Sequence, residues 1–293
     1  MTVLPMIVLI VGAGGQLGRA LLEHAPARIR AVGLDRNSLD ITDAAAVGAA
    51  VEAIAPDIII NAAAYTAVDR AESEQDLAFA INAAAPGHLA QAAARRSCRM
   101  VHVSTDFVFD GTASSPIAPD APMAPINIYG ASKAAGEAAV RDAMPDALIL
   151  RTAWVYSARA NNFVATMLRL AASQDQLRVV ADQIGTPTHV DGLARMIWQL
   201  ADLGASGTHH HTDAGTASWY DFAHAIVEQA CRLGLLPVAV PVIPLATAQF
   251  PTPARRPAYS VLDKRSTWDL VGQPARHWQE ELDIMLNKER TGS

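Results

Sequence analysis

The stretch Met6-Ile-Val-Leu-Ile-Val-Gly12-Ala-Gly-Gly15-Gln-Leu-Gly18 is an apolar run that breaks into glycines and then opens an Ala/Leu-rich segment. A short apolar run rich in β-branched residues and bounded by a turn signal reads as a strand buried on both faces. Residues 16–24 read as the helix that follows. Glycines at 12, 15 and 18 permit a tight turn, close backbone approach to a pyrophosphate, and packing of the helix on the strand. The helix amino terminus adds N–H groups and a partial positive charge, so strand, turn and helix together read as a dinucleotide site.

The same alternation repeats downstream. Apolar runs at 7–11, 31–34, 57–61, 100–104 and 148–152 are separated by helical patterns over 16–24, 43–54, 76–96 and 129–143. Strand and helix in this alternation predict an α/β chain with a Rossmann-type doubly wound parallel sheet and right-handed crossovers. Asp40-Ile-Thr-Asp43 supplies capping side chains before an Ala/Val run, and Pro56 stops that helix before Asp57. Prolines at 116, 119, 122 and 125 make the following stretch a loop that leads into Tyr129. Beyond Thr152 the alternation weakens: helices are expected over 162–172, 190–203 and 218–233, a short strand over 178–181, and mostly loop over 237–257. Residues 1–152 are therefore expected to form the dinucleotide-binding domain, with later segments rejoining it. Residues 153–293 form mainly a smaller, interleaved C-terminal substrate lobe.

Composition excludes several classes. The chain has 293 residues, 51% apolar and 18% charged, with a net charge of -6. This is an ordinary globular balance without a basic stripe, so no nucleic-acid partner is expected. Cys98 and Cys231 are too few for a disulfide framework and fit a reducing compartment. The first apolar run lacks a preceding basic segment and meets glycines at once, which argues against a signal peptide. No run approaches the roughly 20 apolar residues that span a bilayer, so no membrane association and a cytoplasmic location are expected.

Further residues gather around the same chemistry. Asp35 ends the second strand, where a carboxylate can accept hydrogen bonds from an adenosine ribose and so favours NADH. Arg36 beside it could pair with the 2′-phosphate of NADPH, and both are also common turn residues, so NADPH and NADH stay open. Asp40 and Ile41 could border the adenine, although Asp40 also reads as a helix cap. Asn61-Ala-Ala-Ala64-Tyr65-Thr66 ends the third strand with small residues that let the backbone lie close to a flat cofactor. Ser104-Thr105-Asp106 ends the fourth, at the sheet edge where ligands bind, and either hydroxyl there could meet a substrate carbonyl. Tyr129 and Lys133 stand four residues apart on one helical face. A phenol with an ordinary pKa near ~10 becomes a useful proton donor when a neighbouring cation stabilises its phenolate.

The glycine turn, strand-end Thr105, Tyr129 and Lys133 occur in an order and spacing that resembles the extended, sugar-nucleotide-modifying branch of the short-chain dehydrogenase/reductase superfamily. The finer wording is Gly-Gln-Leu-Gly at 15–18, Asn-Ala-Ala-Ala-Tyr-Thr-Ala-Val-Asp at 61–69 and Ser-Thr-Asp-Phe-Val-Phe-Asp-Gly at 104–111. It continues with Tyr-Gly-Ala-Ser-Lys-Ala-Ala-Gly-Glu at 129–137, Arg-Thr-Ala-Trp-Val-Tyr at 151–156, Asp-Gln-Ile-Gly-Thr-Pro-Thr at 182–188 and Arg-Pro-Ala-Tyr-Ser-Val-Leu-Asp at 256–263. Across residues 8–263 these resemble the family of dTDP-4-dehydrorhamnose reductases.

The resemblance implies NAD(P)H-dependent reduction of the C4 ketone of dTDP-4-dehydro-6-deoxy-L-mannose to dTDP-L-rhamnose. It places Gly12, Gly15, Gln16, Leu17, Gly18, Asp35, Asp40, Ile41, Ala64, Tyr65 and Thr66 at the cofactor, together with Tyr129 and Lys133. Thr105 and Asp106 would face the sugar, Trp154 would stack against it, and Thr105, Tyr129 and Lys133 would be catalytic. It also admits a homodimer. A related dTDP-4-keto-sugar reductase, as in a dihydrostreptose pathway, and a non-catalytic nucleotide-binding regulatory subunit are the alternatives.

Two departures stand out. Phe107 replaces a tyrosine common in such proteins, which removes a hydroxyl beside the strand end. Asp191 and Glu289 are weak counterparts of acidic residues that hold magnesium at a subunit contact in some of them, so no metal is expected. The run His209-His-His211, within a strand leading to Thr212 and Asp213, is expected to be a surface histidine run.

Overall fold

The computed structural model describes residues 5–158 and 161–291. Strand β1 (Met6–Val11) passes through the glycine turn into helix α1 (Gln16–Glu23), then β2 (Ile29–Leu34), α2 (Ala44–Ile54) and β3 (Ile58–Asn61). Short helices α3 (Val68–Ala71) and α4 (Gln75–Phe79) follow, then a π-helical turn over Ala80–Ala84, α5 (Ala85–Arg95) and β4 (Arg99–Thr105). A 3₁₀ turn over Asp106–Val108 and the proline-rich loop lead to α6 (Ile128–Ala143) and β5 (Leu148–Thr152). Then come β6 (Val155–Tyr156), α7 (Phe163–Ala171), β7 (Leu177–Val180), β8 (Ile184–Gly185), β9 (Thr188–His189), α8 (Val190–Asp202) and β10 (Gly207–His210). The chain closes with β11 (Ala217–Ser218), α9 (Trp219–Arg232), β12 (Val242–Leu245), α10 (Arg265–Val271) and α11 (Trp278–Thr291).

Six strands form one parallel sheet in the order β10-β5-β4-β3-β1-β2. The crossover direction reverses between β1 and β3, so a crevice opens beyond their carboxyl ends, the place where doubly wound sheets bind ligands. Alternate residues of β1 serve opposite cores, as strand geometry requires. Val8 and Ile10 pack with Leu21 and Ile58 beneath α8 side chains Leu193 and Ile197. Leu9 and Val11 pack with Val47, Val51, Leu89 and Val140. Each such side chain contributes about 1.5–3 kcal/mol by leaving water, which is why β1 is apolar at every position rather than at alternate ones. A further core, around Tyr156, Val164, Phe222, Ile226 and Leu282, joins α7, α9 and α11 over the β7–β12 pair.

Four features differ from the sequence reading. The helix expected over 76–96 is divided by the π turn. The proline-rich 237–257 stretch contains β12, and Pro244 is tolerated there because β12 pairs only with β7, as an edge strand. Helices α10 and α11 had no counterpart in the sequence reading. The histidine run is buried: His210 and His211 are 0% and 2% exposed, because β10 pairs with β5 and Thr267 of α10 donates to the His210 carbonyl at 2.6 Å. Burial pushes both imidazoles down to about 3, so they are neutral. No helix among the described residues is long and apolar enough to cross a membrane.

Candidate active site

Gly12 takes a left-handed φ of 84°, and a Cβ there would lie 2.6 Å from the Ala63 nitrogen. A Cβ on Gly18 would lie 2.2 Å from the Gly12 carbonyl oxygen. No other residue fits either position, so the glycines hold β1, α1 and the end of β3 in contact. Helix α1 begins after Gly15 with no side-chain cap and no acidic residue in its first turn. Its leading N–H groups are thus left for an external anion, and this cradle fits the pyrophosphate of a dinucleotide. Leu17 turns its side chain into the core, leaving its backbone for that role.

The predicted cofactor residues line the neighbouring strand ends. Gly14 faces Asp35, whose carboxylate accepts from Ser38 Oγ (2.8 Å), Asn37 N (3.0 Å) and Ser38 N (3.1 Å). The serine hydroxyl and these amides hold the Asp35 pKa below the usual carboxylate range. Asp40 accepts from Thr42 N and Oγ1 at 2.9 and 2.7 Å and braces a turn, while the α2 cap is Asp43. Ile41 is half-buried beside it. Gln16 Oε1 accepts from Ser157 Oγ (2.7 Å) and Asn162 Nδ2 (3.2 Å), tying the glycine turn to the segment that follows β6. After β3, Ala64 is half-buried and Thr66 exposed. Tyr65 donates its hydroxyl to Glu74 at 2.5 Å, and its backbone is clamped by Asn82: Tyr65 N donates to Oδ1 (2.8 Å), and Nδ2 donates to Tyr65 O (3.0 Å).

Thr105, Asp106, Tyr129 and Lys133 converge where β4 ends against α6. Thr105 Oγ1 donates to Asp106 Oδ1 at 3.0 Å and accepts from Phe107 N at 3.2 Å, so it caps the 3₁₀ turn as well as facing the site. It is also near enough to the Tyr129 phenol to lower that group's pKa. Ser104 is 3% exposed, and its hydroxyl has no hydrogen-bond partner within the protein. Burial pushes Asp106 up to about 6, against the lowering influence of the nearby Ser260 hydroxyl and of the Thr105 hydrogen bond. Asn127 caps α6 by accepting from Gly130 N at 2.7 Å, and Glu72 Oε1 accepts from Ile128 N at 2.9 Å. Two glycines bring α6 in close. A Cβ on Gly130 would stand 2.1 Å from the Phe107 carbonyl oxygen, and one on Gly136 would stand 2.0 Å from that of Asn82.

Tyr129 is half-buried as a residue, with Phe107 edge-on at 5.5 Å, but its hydroxyl end is desolvated and its pKa rises to about 12. Lys133 is 2% exposed, and burial lowers it to about 8 against the attraction of Glu137. Its Nζ donates to the Val103 carbonyl at 2.7 Å. The phenol pKa therefore moves opposite to the sequence expectation in the folded chain, because desolvation is the largest influence on it. Beneath Lys133, Glu137 accepts from Arg151 at 2.8 Å through both oxygens and from Arg141 at 2.7 Å.

Trp154 lies beyond β5 with a left-handed φ of 47°, stacked on Trp219 at 3.5 Å between ring centroids and 9° between planes. Such a backbone costs about 1–2 kcal/mol for a residue with a Cβ, and a stacked aromatic pair returns about 0.5–1.5 kcal/mol. Three residues of this region escaped the sequence reading: Asn82, Ser260 and Trp219. Ser260 lies in the 256–263 motif, and Asn82 is one of two amides in an Ala-rich helical pattern. Trp219 carries no local signal. Away from the site, Asp191 pairs with Lys288 Nζ at 2.5 Å and with His24 at 3.4 Å. No group of three or more His, Cys, Asp or Glu side chains among the described residues could hold a metal ion.

Comparison with known proteins adds independent findings. The family model described as the RmlD substrate binding domain matches residues 6–291. A curated dTDP-4-dehydrorhamnose reductase of Burkholderia thailandensis is 42% identical, over 96% of this chain and 98% of its own length. A crystal structure of a Bacillus anthracis dTDP-4-dehydrorhamnose reductase in complex with NADP is 39% identical, with a TM-score of 0.92, and the match covers 97% of this chain and 99% of that one. One from Clostridium acetobutylicum is 41% identical with a TM-score of 0.91, over 96% and 99%.

Proposed function

The chain belongs to the RmlD substrate binding domain family, and from that premise we propose that it reduces the C4 ketone of dTDP-4-dehydro-6-deoxy-L-mannose to dTDP-L-rhamnose with NADPH or NADH. The observation that carries this reading is the gathering of Thr105, Tyr129 and Lys133 where β4 ends against α6, at the same carboxyl edge of the sheet as the uncapped α1 terminus. When bound, the nicotinamide supplies a hydride. Glycines 12, 15 and 18 and the α1 amino terminus hold the pyrophosphate, with Gln16, Leu17, Asp35, Asp40, Ile41, Ala64, Tyr65 and Thr66 around the rest of the cofactor.

As negative charge grows on the C4 oxygen, the Tyr129 hydroxyl donates its proton there, and Thr105 fixes the direction of that donation. A phenol raised to about 12 keeps its proton near neutral pH, as a donor must. Lys133 brings a positive charge to the face on which the phenolate forms and serves the nicotinamide ribose. Asp106 and Trp154 contact the sugar. In this reading the core around Tyr156, Phe222 and Leu282 carries the substrate lobe, while α8 and β10 return to the sheet domain. Both cysteines are free, which suits a reducing, cytoplasmic setting.

The test follows NADPH and NADH consumption with dTDP-4-keto-6-deoxy-L-mannose and identifies the product. Substrate-dependent oxidation yielding dTDP-L-rhamnose is expected. A 4-epimeric product, or turnover only with a different dTDP-4-keto sugar, overturns the substrate assignment. No oxidation with any such sugar overturns the reductase reading.

A further inference from the structure

We propose that Trp219 is a positioning residue for the sugar site: it fixes the Trp154 indole in one orientation and thereby sets affinity for the sugar. This rests on the reading that Trp154 contacts the sugar. Trp154 is one of three non-glycine residues with positive φ among the described residues, and a tryptophan has no intrinsic preference for that region. A conformation of this kind persists where the surroundings over-determine it. The Trp154 surroundings do so from three directions. Trp219 covers the indole at 3.5 Å, nearly parallel. Gly185 packs against it so closely that a Cβ there would lie 2.7 Å from Cε2, 2.8 Å from Cζ2 and 2.9 Å from Nε1. The Trp154 carbonyl accepts from Thr188 N at 3.2 Å.

The two walls of this slot are built together. Gly185 on β8 pairs with Ala217 on β11, two residues before Trp219. Ser218 and Asp221 then form a reciprocal capping box, which fixes the first turn of α9 and with it the direction of Trp219. Phe163 lies against Trp219 at 4.6 Å and Phe222 against Phe163 at 5.6 Å, so packed core stands behind the stacked pair. Trp154 cannot swing toward Trp219 without displacing that core, nor toward Gly185 without a backbone collision. With Trp219 on one face and Gly185 on the other, the indole has no free face for the stacking expected from the sequence; held in this slot it offers an edge to an incoming sugar and loses no rotamer freedom on binding. Trp219 makes none of the contacts found around Tyr129 and Lys133, so its influence falls on sugar binding rather than on the proton and hydride steps.

The test compares Trp219→Ala, Trp219→Phe, Trp154→Ala and the double alanine variant. Readouts are KM for the dTDP-keto sugar, KM for NADPH, kcat, and the far-ultraviolet exciton couplet that two stacked indoles produce. Trp219→Ala is expected to raise sugar KM on the order of tenfold, with kcat and NADPH KM within about twofold, and to abolish the couplet. Trp219→Phe should restore most of the sugar affinity, and the double variant should be no worse than Trp154→Ala, because the two residues act as a unit. Gly185→Ala, which wedges the indole from the other wall, should also raise sugar KM and answers the question if Trp219→Ala fails to fold. Unchanged sugar KM in Trp219→Ala or Gly185→Ala, with a raised value in Trp154→Ala, removes Trp219 from this role and leaves the sugar contact of Trp154 standing. An unchanged value in Trp154→Ala overturns the contact itself.

Discussion

Burial raises the Tyr129 phenol to about 12 and lowers the Lys133 ammonium to about 8, so near neutral pH the phenol keeps its proton and most of the lysine keeps its charge. Removing the phenol oxygen in Tyr129→Phe should reduce kcat by about 10²-fold or more while leaving NADPH affinity, read by fluorescence titration, nearly intact. Lys133 loses its charge as pH rises through about 8, so kcat should fall on that alkaline side. The residual activity of Lys133→Arg should lack this limb, since a guanidinium does not titrate there. Asp106 is the opposite case, a carboxyl raised from 3.8 to about 6 by burial. Between those values the native protein keeps a proton that the unfolded chain releases. Its favourable contribution is therefore present in full below about 4 and is lost as pH rises through about 6. Asp106→Asn should accordingly stabilise the fold at pH 7 by on the order of 3 kcal/mol, a gain that fades toward pH 4 in denaturant titrations. The Tyr129 and Lys133 spacing was legible in the sequence because helical periodicity is local. The direction of the phenol shift was not, because desolvation depends on what packs around it.

At the scale of elements, α6 delivers the site because two glycines on it meet backbone carbonyls. Gly136→Ala would place a methyl 2.0 Å from the Asn82 oxygen and should destabilise the protein by about 1–3 kcal/mol in urea. Gly48→Ala, in the interior of α2, where a Cβ would come no closer than 3.5 Å to the Arg95 guanidinium, should instead stabilise by about 0.5–1 kcal/mol. The contrast separates close approach from simple helix propensity. The π turn belongs to the same contact: it carries Asn82 toward Tyr65 and toward Ser132 Oγ at 3.0 Å. An Ala-rich sequence supports an unbroken helix equally well, so the interruption could not be read from composition. What selects it is the set of hydrogen bonds that Asn82 makes once α6 and the end of β3 are in place.

Across the whole molecule, Glu137 joins α6 to the sheet through Arg151, which also donates to the Pro119 carbonyl at 2.9 Å and meets His210 Nε2 at 3.2 Å on the strand that closes the sheet. Burial opposes the Glu137 charge, but Arg151 outweighs it and holds the carboxyl low. Glu137→Gln leaves a buried guanidinium without its counter-charge and should cost about 3–5 kcal/mol in chemical denaturation, far more than an exposed pair would. His210 shows why the histidine run misled: three polar residues in a row suggest a surface, and only pairing of β10 with β5 put two of them inside. By itself the sequence determined the alternating strands and helices, the glycine cradle, and the order of Thr105, Tyr129 and Lys133, because each depends on residues close together in the chain. The tertiary structure alone decided that β10 completes the sheet, that Asn82 clamps Tyr65 and that Trp219 backs Trp154. These are contacts between residues far apart in sequence, and their energies come from desolvation and packing that exist only once the elements have met.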